Sequence, residues 1–345
     1  MIHEIEFVNR DQEIKALKEW CSNQRATPLY IYGPEGCGKT RLLREFVNRF
    51  NDYFGEEAIA IYIDATERNS IEKAILTSKT TEIAKDILER LAERFLNIGI
   101  GRVLSDMIST ILEKAILRKR LEDNYVLVIV DDIAQVVGVE KIEWYVKWLY
   151  ELLWKLRREY KPKAINFIVT TSEGKSLRLV ERHRHAHTAM IWNLDKRSFR
   201  ELFHKLKPPK SIEFERIWRL LGGNPGKLIE LAENYNWNIK RMTLSYSIRL
   251  ADIVRTIAGQ GLTSELKMAI EEPDNIAEIT TERMRKLEEI LIENNLIMRT
   301  GLLLDFSEIR PQPEIGLGKH YAWQIPMYRD IMAKTLRKNH VGTRT

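Results

Sequence analysis

The residues richest in chemistry lie between positions 33 and 40. Gly33-Pro-Glu-Gly-Cys-Gly-Lys39-Thr40 meets every fixed position of the pattern G-x-x-x-x-G-K-[ST]. Glycines at this spacing let backbone amides turn inward around phosphate oxygens. A helix starting at the end of the loop adds its unpaired N–H groups to the same anion. Gly33, Pro34, Glu35, Gly36, Cys37, Gly38, Lys39, Thr40 and Arg41 are therefore the candidate phosphate-binding residues. Lys39 is placed to reach the β- and γ-phosphates as a mobile point charge, which also makes it a catalytic candidate. The Thr40 hydroxyl is placed to ligate magnesium. Cys37 has two readings. A thiol near a helix N-terminus is a redox switch, or it is a small residue tolerated at a variable position.

A magnesium-nucleotide site also needs a carboxylate at the end of a neighbouring strand. The apolar run Val126-Leu-Val-Ile-Val130 ends in Asp131-Asp132. Asp131 is the expected metal carboxylate. Asp132 is the expected general base, or the group that orients the attacking water. A second run ends in Val169-Thr170-Thr171-Ser172. Thr170 and Thr171 either sense the γ-phosphate and place the water, or cap a helix. Beyond them stand Arg178, Arg182 and Arg184. One of these, with Arg182 as the candidate, either reaches a neighbouring subunit's nucleotide as an arginine finger or is a surface charge. His183, His185 and His187 alternate, which suits zinc if they share a strand face and a solvated loop if they do not.

The elements that must position these groups are legible as alternating strands and helices. Short β-rich runs at 28–32, 58–64, 125–130, 164–169 and 188–193 alternate with helical patterns at 38–51, 80–97, 102–121, 139–159 and 195–206. This order predicts an α/β fold, with a parallel sheet covered on both faces. After Pro208-Pro209 the pattern becomes helical through 211–257 and 262–293. Leu302–Leu304 and Tyr321–Trp323 are then expected to pair as strands, before a last helix near 327–338. Helices followed by a hairpin are the order of a winged helix.

The 345 residues allow two or three domains. A composition 44% hydrophobic and 30% charged excludes a disordered chain. Two cysteines cannot build a disulfide framework. No apolar stretch reaches the length of a membrane span, and Glu4 and Glu6 interrupt any signal core, so a cytoplasmic protein is expected. The net charge of +6 is unevenly spread. Residues 151–239 hold 18 Lys/Arg against 10 Asp/Glu, while residues 1–150 hold 21 against 25. The basic segment suits nucleic acid, another anionic ligand, an acidic neighbouring subunit, or a solvated face.

Taken together, these motifs resemble the archaeal ATPase-domain proteins, P-loop ATPases of the AAA+/STAND type with a C-terminal winged helix. The residues carrying the resemblance are Phe7-Val-Asn-Arg10-Asp-Gln-Glu13, the phosphate loop, Asp131-Asp132-Ile-Ala-Gln135 and Leu221-Gly-Gly-Asn-Pro-Gly-Lys227. The resemblance implies a nucleotide-binding α/β domain over 1–206, a helical lid over 207–240 and a winged-helix domain over 241–345. It implies that Val8, Arg10 and Pro225 border an adenine base, and that residues 279–299 form a recognition helix and the entry to a wing. The cofactors implied are ATP and Mg2+. The expected partners are double-stranded DNA, further copies of the chain in the ATP state, and a possible protein partner. The expected function is an ATPase whose nucleotide state controls assembly and DNA binding. The alternative is a slow signalling switch whose winged helix is a packing or partner module. Two departures matter. Asp132 stands where the family usually has Glu. From Glu282 to Glu293 the recognition-like helix carries three positive and four negative residues, a poor balance for a groove-entering helix.

Overall fold

The apolar runs pair into one sheet because parallel strands, buried on both faces, need near-continuous apolar sequence. The computed structural model describes residues 7–66, 75–78, 123–132, 138–171 and 174–341. Within them β1 (Leu29–Tyr32), β2 (Ile59–Asp64), β4 (Tyr125–Asp131), β5 (Ala164–Thr171) and β6 (His187–Met190) run parallel. A further strand, β3 (Ile75–Thr77), pairs antiparallel with β2 at the edge. The strand order is β3-β2-β4-β5-β1-β6. The sheet is thus mostly rather than wholly parallel. Three residues were too short a run to signal β3, and an edge strand needs pairing on one side only.

The period of two along each strand sorts side chains between two layers. Ile59, Ile61, Ile63, Val126, Val128, Val130, Phe167 and Val169 face α4 (Ile142–Tyr160), which buries Tyr145, Leu149, Leu153 and Leu156 against them. Ala60, Tyr62, Leu127, Ile129 and Ile31 face the other way. They meet α1 (Asp11–Cys21), α2 (Lys39–Asn48) and α3 (Phe50–Phe54) through Leu17, Leu42, Leu43, Phe46 and Phe50. The helix expected over 38–51 is divided at Arg49 into α2 and α3. The helices expected at 80–97 and 102–121 lie outside the described residues, as do Ile133–Gln135 and Ser172.

After β5 come α5 (Gly174–Glu181) and, past β6, α6 (Lys196–Lys205), α7 (Phe214–Leu221) and α8 (Pro225–Glu233). The 21-residue α9 (Ile239–Gly259) follows, then α10 (Thr263–Glu271), α11 (Asn275–Glu278) and α12 (Glu282–Glu293). One continuous core joins Phe199, Leu221 and Leu228 to Leu250, Leu287, Trp323 and Ile331. The expected strand pair is corrected. β7 (Ile297–Arg299), not Leu302–Leu304, pairs with β8 (Tyr321–Trp323) ahead of α13 (Pro326–Val341). The Leu302–Leu304 run is used elsewhere. Leu304 is buried against the sheet beside Ala189 and Ile191, and Leu302 takes a hydrogen bond from the edge of β6. An apolar run three residues long does not reveal which sheet will claim it.

Candidate functional site

β1 delivers the chain to the C-terminal edge of the sheet, where ligands bind in open α/β folds. The phosphate-loop residues Gly33–Thr40 turn there into α2. Gly36 has a φ of +78°, a conformation that costs glycine nothing. The loop is also tightly covered. Gly226 N donates to Gly36 O at 2.9 Å, and a side chain on Gly226 would meet Gly36 Cα at 2.9 Å. Only glycine permits that approach. The Asn224 side chain completes the seal. Its Nδ2 donates to Glu35 O and to Asn193 Oδ1, both at 2.9 Å, while its Oδ1 caps α8 by accepting from Lys227 N. Lys39 is buried, and its Nζ donates to Gly33 O at 2.9 Å and Pro34 O at 3.2 Å, inside the arc of the loop. The Cys37 thiol is fully buried and lies 3.6 Å from Ile191 O. The redox-switch reading is therefore corrected, because no oxidant reaches a sealed thiol.

The strand order places β5 between β1 and β4, so the Thr170 end of β5 stands between the loop and the carboxylates. Three hydroxyls converge on Asp131. Thr40 Oγ1 donates to Oδ2 at 2.6 Å, the Tyr62 phenol donates to the same oxygen at 2.5 Å, and Thr170 Oγ1 donates to Oδ1. Asp131 is buried, and Thr40 is exposed. Burial, reinforced by the Asp131 charge, pushes the Tyr62 phenol far above its ordinary range, so it remains a donor at any working pH. Arg44 lies one helical turn beyond Thr40. It pairs with Asp64 at 3.0 Å and sits over the Tyr62 ring at 5.0 Å. Asp132 follows with a φ of +53°, and its amide donates to Thr170 Oγ1 at 2.8 Å. A hydroxyl beside an exposed loop edge and a buried carboxylate make an oxygen set suited to a hard cation such as Mg2+.

The remaining sequence-predicted residues are more dispersed. Thr171 is buried and bonds Ser176 Oγ. Arg41, half-buried on α2, has its guanidinium pKa lowered by burial against the pull of Glu45. Val8 is buried in the core shared with Leu194 and Trp218. Arg10 is buried and donates to Cys37 O at 2.7 Å and Trp192 O at 2.9 Å, tying the loop to the end of β6. Pro225 lies over Gly38, where an added side chain would meet its ring at 4.0 Å. A cavity of about 600 Å³ opens beside Arg10, lined also by Asn9, Trp192, Asp195, Trp218, Leu304 and Ile315. Of the three residues expected beside a base, Arg10 alone lines it. Arg182 is exposed ahead of β6, at the sheet edge opposite the phosphate loop. The three histidines do not converge. His183 and His185 are 6.4 Å apart between ring centres, while His187 packs between Trp20 and Phe306. The zinc alternative is corrected accordingly.

A contact that sequence reasoning missed comes from the C-terminal segment. Gln324 Oε1 accepts from the Glu35 amide of the phosphate loop at 3.0 Å, and Asn193 Nδ2 donates to Gln324 O at 3.1 Å. Met190 N donates to Leu302 O at 2.8 Å. Gly301 lies so close to the Tyr32 phenol that an added Cβ would overlap it at 2.0 Å. Farther out, Arg178 and the Tyr321 phenol both engage Glu288 of α12, and Arg299 pairs with Glu181 at 3.2 Å.

The comparisons with known proteins bear on this geometry. A family model described as an ATPase domain predominantly from Archaea matches residues 7–231. The chain belongs to this family. The match takes in the phosphate loop, the Asp131-Asp132 pair and the Leu221–Lys227 motif of the ATPase domain, and it ends before α9. No curated protein matches the sequence. Among solved structures, the Aeropyrum pernix ORC2 protein in ADPNP and ADP complexes is similar at 14% identity and a TM-score of 0.44. That alignment covers 97% of this chain and 96% of that one. Domain III of the Thermotoga maritima replication initiation protein DnaA is similar at 18% identity and a TM-score of 0.36. It covers 65% of this chain and 86% of that one. No helix among the described residues is long and apolar enough to cross a membrane.

Proposed function

We propose that this ATPase domain binds and hydrolyses Mg-ATP, and that its nucleotide state sets the docking of the C-terminal segment and thereby assembly and DNA binding. The observation that carries the reading is the Gln324–Glu35 hydrogen bond, which ties a residue near the C-terminus to the phosphate loop. In this reading Lys39 and the loop amides hold the phosphates. Val8, Arg10 and Pro225 border the base, and the 207–240 lid closes through Asn224 and Gly226. Thr40 and Asp131 hold the metal, which neutralises charge on the transferred phosphoryl group. Asp132 orients the attacking water and takes its proton. Thr170 holds the Asp131 carboxylate and the Asp132 backbone in register. Arg182 acts only in trans, because its own phosphate loop lies at the other edge of the sheet.

The winged helix proposed for 241–345 is coupled to the same site. Its recognition-like helix α12 has Glu288 bound by Arg178, so the helix meets DNA only after leaving α5. That engagement also supports the second reading, a slow switch in which a protein partner lifts the C-terminal segment. The deciding experiment is steady-state ATP hydrolysis with and without duplex DNA, at several protein concentrations, with Lys39→Ala as control. Stimulation by DNA supports the first reading. Turnover indifferent to DNA supports the second. Lys39→Ala should abolish tight ATP binding, and unchanged affinity would remove the phosphate-loop assignment. Specific activity should rise with protein concentration if Arg182 completes a neighbour's site.

A further inference from the structure

Tyr62 belongs to none of the motifs, yet its phenol occupies the carboxylate on which the site turns. It is fully buried in β2, on the sheet face that packs against α2. Its hydroxyl donates to Asp131 Oδ2, the same oxygen that accepts from Thr40. Thr170 engages the other oxygen from β5. Two neighbouring strands therefore fix the carboxylate at both oxygens, and the loop helix supplies the third hydroxyl. The phenol is itself held. Arg44 stacks over its ring and is anchored by Asp64 at the end of the same strand. An aromatic residue needed only for packing would have no use for this arrangement, since phenylalanine would fill the same space.

We infer that Tyr62 is a positioning residue for the divalent cation, its phenol and the Thr170 hydroxyl holding the Asp131 carboxylate so that its Thr40-facing edge receives the metal. The inference rests on Thr40 and Asp131 being the metal side of the nucleotide site. Hydrogen bonds that orient a metal-facing carboxylate commonly hold about 10- to 100-fold in metal affinity. Tyr62→Phe keeps the ring and its contact with Arg44 and removes one hydrogen bond. Arg44→Gln leaves the phenol in place and removes what steadies it.

The test uses Mn2+ as the probe metal and the full chain with ADP. Free Mn2+ is read by electron paramagnetic resonance, against ADP in buffer as the blank. The affinity for a fluorescent ADP analogue in EDTA is measured alongside, to report the phosphate loop and the fold without metal. Tyr62→Phe should weaken Mn2+ binding about tenfold and leave the EDTA affinity unchanged. Arg44→Gln should weaken Mn2+ binding less, in the same direction. Wild-type Mn2+ affinity in Tyr62→Phe would overturn the inference and leave the site reading standing. Equal losses of Mn2+ and of nucleotide in EDTA would also overturn it, by showing a general packing role. Wild-type protein that takes up no Mn2+ beyond the ADP blank would overturn the metal assignment of Thr40 and Asp131, and this inference with it.

Discussion

Asp132 combines two features that pull apart. Its backbone is left-handed, which costs a non-glycine residue about 1 kcal/mol or more, and its carboxylate is one methylene shorter than the family's usual Glu. The strain is held in place by the bond from its amide to Thr170. Asp132→Asn should keep nucleotide affinity and lose turnover. Asp132→Glu should raise kcat several-fold with nucleotide affinity unchanged, and an equal or lower kcat would refute the argument from reach. At this scale much of the candidate site is legible in the sequence. A phosphate loop is a pattern of fixed residues, and two carboxylates after a buried run announce themselves. Tyr62 was hidden because its ring reads as core, and its hydroxyl finds meaning only across the sheet. Asn193 and Gln324 were hidden because 131 positions separate them, and nothing local marks either.

Short-range signals explain which elements were foreseen. Asn224 before Pro225 is a helix start, and the structure adds two bonds that no local rule supplies, to Glu35 and Asn193. Asn224→Ala should therefore cost more than the loss of a cap alone. A cap is worth about 1 kcal/mol, and each buried partner left unpaired adds about 1–3 kcal/mol. Chemical denaturation would measure it, and a loss within a few tenths of a kcal/mol would show that water replaces all three bonds. Between α10 and α12, the Arg283 guanidinium holds the Glu265 carboxyl at about 2, below its ordinary 4.5. A depressed pKa stabilises the fold above the unfolded value and ceases to do so as pH falls through the folded one. The stability gap between wild type and Glu265→Gln should be full at pH 7 and shrink from about pH 4.5 toward pH 2. A gap independent of pH would refute the pairing. The misplaced strand pair marks the limit of such signals. Ile297-Met298 and Leu302–Leu304 are both apolar, and only tertiary contact decides which run joins β8.

For the molecule as a whole, the phosphate loop is held from four directions: by its own helix α2, by Arg10, by Asn224 and Gly226, and by Gln324 from the far end of the chain. Gln324→Ala and Gly301→Ala should loosen the last of these without touching a phosphate-binding residue. Both should speed release of a fluorescent ADP analogue in stopped flow, and unchanged release would separate the C-terminal segment from nucleotide exchange. Some of the basic residues between 151 and 239 are already paired within the chain. Arg178 is engaged by Glu288, Lys196 and Arg200 share Glu215, and Arg182 is exposed at the opposite sheet edge. The bond from Met190 to Leu302 has a consequence for handling the protein. β6 is the last strand of the sheet, and an uncovered edge strand is a template for pairing with other chains. A chain shortened before residue 301 would bare that edge and the apolar bed of Leu304 together, and would tend to precipitate by strand-to-strand association. Point substitutions are therefore the sounder instrument for dissecting the C-terminal segment, since insolubility of a deletion would mimic a loss of function.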